Sequence, residues 1–144
     1  MTANQVQEQI VEEFSVFADW TEKYTYLIEL SKELNGFKNE YKTNANLIKG
    51  CQSQVWLEAE YSNGKVIFYA DSDAIITKGM IALLIRVLSD REPDEISNTD
   101  LWFIEKTGLN SHLSPTRSNG LVSMVKQMKL YALAFKTKYE GKEL

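Results

Sequence analysis

The spacing of apolar positions changes twice along the chain. Val6, Ile10, Phe14 and Phe17 recur at intervals of four, four and three, which places them on one face of an amphipathic helix. A second helix is predicted from about Asp19, with Trp20, Tyr24, Leu27, Ile28, Ser31 and Leu34 along its inner face and Asn35-Gly36 closing it. The two in succession predict a helical hairpin. Their aromatic residues are explained as a buried stripe by the same spacing, without a cofactor box.

Beyond Gly36 the pattern shifts. Residues 37–54 are polar and irregular, with room for a short strand near Asn46 to Ile48. From Val55 the period becomes two. Val55, Leu57, Ala59 and Tyr61 share one face, and Trp56, Glu58 and Glu60 share the other. Asn63-Gly64 signals a tight turn, after which Val66, Phe68 and Ala70 alternate with Ile67 and Tyr69. This predicts an antiparallel hairpin with one face packed on helices.

The helical period then returns. Asp71, Ser72 and Asp73 offer capping oxygens to a run from Ile75 to Leu88 that is apolar nearly all round, as a central helix is. Ser89 to Pro93 stops it, and shorter helices are predicted at Pro93 to Ser97 and Leu101 to Gly108. Ser114 as N-cap and Pro115 at the first position start a last helix. Its stripe is Leu121, Val125, Met128, Ala132, Phe135 and Tyr139, with Lys126, Lys129, Lys136 and Lys138 toward water. Neither an internal repeat nor a linker interrupts the order. Helices, then a small antiparallel sheet, then helices predict an α+β fold in a single domain over residues 1–144.

Composition narrows the classes of function. With 44% hydrophobic and 25% charged residues, 144 residues can build a real core and do not read as a disordered chain. No apolar run is long enough to cross a bilayer, and the acidic N-terminal segment (Glu8, Glu12, Glu13) has neither signal nor transit character. One unpaired cysteine suits a reducing compartment, so a bacterial cytoplasm is expected, away from membranes. The net charge of −4 is unevenly spread: residues 1–40 carry eight acids and three bases, residues 117–144 six bases and two acids. Solvated helix faces and a field that steers a protein partner both account for this. Nucleic acid is excluded as a partner by the acidic total, only three arginines and no reader motif.

The chemistry concentrates at the single cysteine, Cys51. It has no intramolecular disulfide partner and no zinc-site neighbours. Gly50 before it, and Gln52 and Ser53 after it, place the thiol in a polar turn leading into the strand at Val55. On the residues alone, an inert packing thiol and a reactive loop thiol both remain open. A reactive thiol needs thiolate, which a nearby cation or helix N-terminus favours. Arg117, in the first turn of the last helix, is a candidate cation or an ordinary surface ion pair. Asp73 reads as a helix cap, and Trp56 as packing beneath the loop rather than as a partner's anchor. His112 raises the alternative of a Cys–His transferase or hydrolase, but no third orienting residue stands out. One cysteine and one histidine cannot by themselves ligate an iron–sulfur cluster.

Gly50-Cys51-Gln52-Ser53-Gln54-Val55-Trp56 resembles the cysteine loop of the SufE family. Three further segments resemble that family in order: Asp19-Trp20 with Lys23 to Leu30, Asp71 to Gly79, and Leu113 to Leu121. The resemblance implies a SufE/IscU-like fold and a sulfur acceptor that is a stoichiometric carrier and not an enzyme. Cys51 would take persulfide sulfur from a pyridoxal-phosphate cysteine desulfurase (SufS-like or CsdA-like). The carrier would stimulate that desulfurase and pass sulfur to an iron–sulfur scaffold of SufBCD type. The pyridoxal phosphate belongs to the partner, so no cofactor or metal is expected here. The resemblance also matches Arg117 to an arginine of the last-helix motif, and Asp73 to an acidic position that serves the partner surface or controls the loop. Gly50, Gln52 and Ser53 would support the loop. An adaptor that activates a desulfurase without carrying sulfur stays open, as do the choice of desulfurase and a homodimeric state.

Overall fold

A computed structural model describes residues 1–51, 53–111 and 115–140, with the backbone only at 115–118 and 140. In chain order the elements are helices α1 (Ala3–Ser15) and α2 (Trp20–Ser31), and single 3-10 turns at Asn39–Tyr41 and Asn44–Asn46. Strands β1 (Val55–Ser62) and β2 (Lys65–Ser72) follow, then helices α3 (Ile75–Leu88), α4 (Pro93–Asn98) and α5 (Phe103–Lys106). After a 3-10 turn at Leu109–Ser111, helix α6 (Pro115–Phe135) runs into a π-helical turn at Lys136–Glu140. The fold is α+β, as the pattern predicts.

Helix α3 is the centre. Its residues Met80 to Leu84, Val87 and Leu88 are buried, because a helix apolar on every side must be covered on every side. That explains one departure from expectation. Helices α1 and α2 do not pair along their length; each lies against α3, and at their corner the Tyr26 ring meets those of Phe14 and Phe17 while its hydroxyl donates to Glu13. The backbones of α2 and α3 touch at Gly79, where an added Cβ would stand 2.2 Å from the Leu27 carbonyl oxygen. Arg86 of α3 holds Glu13 of α1 with two hydrogen bonds, at 2.8 and 2.6 Å.

Thr2 and Gln5 close α1 with a reciprocal capping box, and Asp19 caps α2 through the Glu22 N–H. Gln7 lies fully buried on the apolar stripe of α1. It donates to the Asp100 carbonyl at 3.0 Å and accepts from the Phe103 N–H at 3.1 Å, tying α1 to the start of α5. Helix α2 ends at Ser31, before Asn35-Gly36, and Gly36 serves instead as a bare point under the Tyr69 ring.

Strands β1 and β2 pair antiparallel from Val55↔Ser72 to Ser62↔Lys65. Asn63 and Gly64 both take positive φ, 54° and 79°, as a two-residue hairpin turn with the strand twist demands. Val55, Leu57, Val66, Phe68 and Ala70 face the core. The strand expected at Asn46 to Ile48 shrinks to a bridge between Leu47 and Trp56, with the Ile48 N–H donating to the Val55 carbonyl at 2.8 Å. The stripe of α6 is Leu121, Met124, Met128 and Ala132. Val125 and Phe135 fall at its edge, and Tyr139 is 43% exposed although its ring stacks on Tyr61.

The expected caps on α3 need correction. Ala74 is the N-cap residue and no side chain caps this helix in that position. The Ser72 hydroxyl accepts from the Ala74 N–H at 3.2 Å, and Asp73 turns away to the cysteine loop. Ser114 and His112, the proposed cap and the alternative catalytic histidine, lie outside the described residues. Among the described residues, no helix is long and apolar enough to cross a membrane.

Candidate functional site

The loop from Ile48 to Gln54 connects the Leu47 bridge to β1 and carries Cys51 at its tip. Among the described residues, three hydrogen-bonded contacts hold it. At the base, Ile48 pairs with Val55. At the far end, Asp73 and Gln54 bond reciprocally: the Gln54 N–H donates to Asp73 Oδ1 at 3.0 Å, and the Asp73 N–H donates to the Gln54 carbonyl at 3.2 Å. At the tip, the Cys51 thiol donates to the Gly120 carbonyl of α6 at 3.8 Å, a long, weak bond of the kind sulfur makes.

Gly50 takes φ +88°, the left-handed region that only glycine enters freely. It also faces α6, where an added Cβ would stand 3.2 Å from the Ser123 Oγ. Cys51 is half-buried and Ser53 is half-buried; Gln52 lies outside the described residues. Asp73 is exposed and so clasps the loop from its rim.

Burial pushes the Cys51 thiol pKa up from its ordinary value. A cation or helix N-terminus would act in the opposite direction, toward thiolate. Desolvation disfavours the thiolate, so the half-buried setting works against ionisation. Arg117 has its backbone in the first turn of α6, one turn before Gly120; its side chain is outside the described residues. The structure therefore brings Gly50, Cys51 and Asp73 into one site, and sets the Arg117 backbone on the same helix as Gly120.

A charged group flanks the site. Lys78 at 3.1 Å and Lys42 at 3.6 Å both meet the Asp71 carboxylate. Burial pushes that carboxyl up, but Lys78, the Ser72 N–H and Lys42 outweigh it and hold it below the usual range. The Lys42 ammonium also lies over the ring of the half-buried Trp56, 5.1 Å from its centroid. Beside the loop, between residues 44–49 and α6, opens a groove of about 470 Å³ lined by Lys49, Ser123 and Lys126 among others, with no acidic residue in its lining among the described residues.

Two residues of the site escaped the sequence reading, Gly120 and Ser123. The available signal was a glycine inside a helical run with no turn or cap to explain it. Chemically, the arrangement offers one thiol with neither a base nor an acid bonded to it among the described residues. No group of three or more His, Cys, Asp or Glu side chains placed to hold a metal ion occurs among them.

Comparison with known proteins adds three findings. Residues 8–132 match the family model described as "SufE: Fe-S metabolism associated domain". An uncharacterised SufE-like protein of Synechocystis sp. is 41% identical over 127 residues, covering 88% of this chain and 80% of that protein. The solution structure of a hypothetical protein from Thermus thermophilus superposes with a TM-score of 0.74, covering 90% of this chain and 94% of that one. At 19% identity, that last likeness concerns the fold only.

Proposed function

The chain belongs to the SufE family, whose domain is associated with iron–sulfur metabolism, and on that premise we propose that it is a sulfur carrier acting through Cys51. The observation that carries the reading is the placement of the only thiol: at the tip of a glycine-hinged loop, half-buried against α6 and clasped at its rim by Asp73. A packing cysteine needs no such loop. A carrier does, because its free thiol must be kept from chance reaction between partners and then presented to the donor.

The donor is a pyridoxal-phosphate cysteine desulfurase bearing a cysteine persulfide. Docking draws the Cys51 loop off α6, which removes the burial that keeps the thiol protonated. The Cys51 thiolate attacks the outer sulfur of the donor persulfide. The donor S–S bond breaks, its cysteine leaves as thiolate with the bonding pair, and a new S–S bond forms on Cys51. No external oxidant or reductant enters. The same exchange, run toward a SufBCD-type scaffold, unloads the sulfur and frees the carrier. Relieving the desulfurase of its persulfide stimulates its turnover. The Lys49–Lys126 groove beside the loop suits the acidic rim of a docking partner.

The test is intact mass after incubation with a desulfurase and free cysteine. A gain of about 32 Da on the wild-type chain and none on Cys51→Ser, with both folded, is the expected result. Stimulated desulfurase turnover that persists in Cys51→Ser without any adduct would replace the carrier with a non-carrying adaptor. Turnover of a substrate with no desulfurase present would replace it with an enzyme.

A further inference from the structure

Gly120 sits in α6 with an ordinary helical backbone, so no turn or positive φ requires glycine there. Glycine inside a helix costs about 1 kcal/mol relative to alanine. Its presence therefore calls for a contact that a side chain would spoil, and the contact is Cys51. The three atoms nearest to a Cβ added at Gly120 all belong to that residue: Sγ at 3.1 Å, and Cα and Cβ both at 3.6 Å. Gly50 mirrors this from the loop, its missing side chain facing Ser123. Residues 120 and 123 are one helical turn apart and share a face. Two bare glycines, one on each side, thus let the loop tip lie directly on the α6 backbone.

We propose that Gly120 is the positioning residue of Cys51: its missing side chain forms the seat, and its carbonyl receives the thiol hydrogen, that hold the unloaded loop against α6. The proposal rests on the reading of Cys51 as the reactive group. The hydrogen bond gives the seat a preference. A neutral thiol has a hydrogen to donate to the carbonyl; a thiolate or a persulfide anion has none and would face the oxygen lone pairs instead. The seat therefore holds the empty carrier, and a loaded Cys51 has less reason to stay in it.

The experiment uses the free protein, so it is independent of any desulfurase. Gly120→Ala and Gly120→Leu both place good helix formers in α6. The alanine asks Cys51 Sγ to yield slightly, and the leucine fills the seat. Iodoacetamide alkylation of Cys51 is followed across pH, with thermal unfolding measured in parallel. Gly120→Leu is expected to alkylate about tenfold faster or more at neutral pH, the range over which access and ionisation govern thiol reactivity. Its alkylation profile should move to lower pH, Gly120→Ala should lie between it and wild type, and neither Tm should fall in proportion. Wild-type rates and profiles in both folded variants would overturn the seat. So would faster alkylation that tracks a fall in Tm, since exposure would then come from unfolding. A failure of sulfur loading with these results intact would count against the carrier reading and leave the seat standing.

Discussion

Asp73 makes its contact from the solvent side, and that makes it the residue best suited to loosen the loop without disturbing the core. Its carboxylate accepts the Gln54 N–H, while its own N–H bonds the Gln54 carbonyl. Asp73→Arg removes the first bond and leaves the second available to the backbone. A hydrogen bond to a charged acceptor is worth roughly 1.5–3 kcal/mol when buried and less at an exposed rim. The expected outcome is faster alkylation of Cys51 with Tm close to wild type. The wild-type alkylation midpoint should lie above the ordinary thiol range, since burial pushes that thiol up, and the variant's should lie lower. A folded variant that alkylates no faster than wild type would reduce Asp73 to a bystander of the loop. Two placements could be read from the chain: Cys51 in a loop ahead of β1, and Gly50 beside it in a backbone conformation that glycine enters freely. The partner of Asp73 could not. Its position just ahead of α3 suits a cap as well as a clasp, and only the folded chain brings Gln54 within 3.0 Å of it.

Among elements, the pattern was legible where local chemistry decides the structure. Asn63-Gly64 needs two positive φ angles and makes a hairpin wherever it sits between alternating strands. An apolar run such as Ile75 to Leu88 can only be central. It was not legible where the outcome depends on which surface offers the larger apolar partner. Helices α1 and α2 are neighbours in sequence, yet each packs on α3. Gln7 sits on the stripe of α1 between Ala3 and Ile10, where a polar residue signals a buried hydrogen-bonding tie, and its partners beyond its own helix come from residues 100 and 103. Gly79 is the sharpest case, because the sequence shows only a helix former missing. Gly79→Ala improves helix propensity by about 1 kcal/mol. It also places a methyl 2.2 Å from the Leu27 carbonyl oxygen, which is backbone and cannot swing aside. Helix α2 must move off α3, at a cost of about 1–3 kcal/mol or more. Urea unfolding should therefore show a net loss of stability. A stabilised Gly79→Ala protein would mean that the two backbones do not meet.

At the scale of the whole molecule, ion pairs join segments far apart in sequence and set how the fold answers acid. The Arg86 guanidinium lowers the Glu13 pKa, burial pushes it back up, and the Tyr26 hydroxyl lowers it again; the balance lies below the usual carboxylate value. Asp71 is likewise held low against burial by Lys78, Ser72 and Lys42. A carboxylate whose folded pKa is depressed stabilises the native state above its unfolded value, about 4 for these groups, and loses that contribution as pH falls through the folded value. Tyr26 runs the other way. Burial and then Glu13 push it up to about 12, so the contribution of its neutral form holds below about 10 and is lost as pH rises through about 12. Glu13→Gln tests the acid side. Both partners of this bidentate pair are about one-third exposed, at 31% and 33% of their side chains, so solvent screens it and its worth is about 1 kcal/mol. In a chain of this length that corresponds to roughly 3 °C in Tm at pH 7. The gap between wild type and Glu13→Gln should begin to close as pH falls below the unfolded value, about 4, where the unfolded wild type takes up a proton that the folded state still refuses, and it should go on closing as pH falls through the lower folded value. Calorimetry from pH 7 to pH 3 measures it. A gap that stays constant over that range would mean that Glu13 holds α1 to α3 by packing, with its charge contributing nothing.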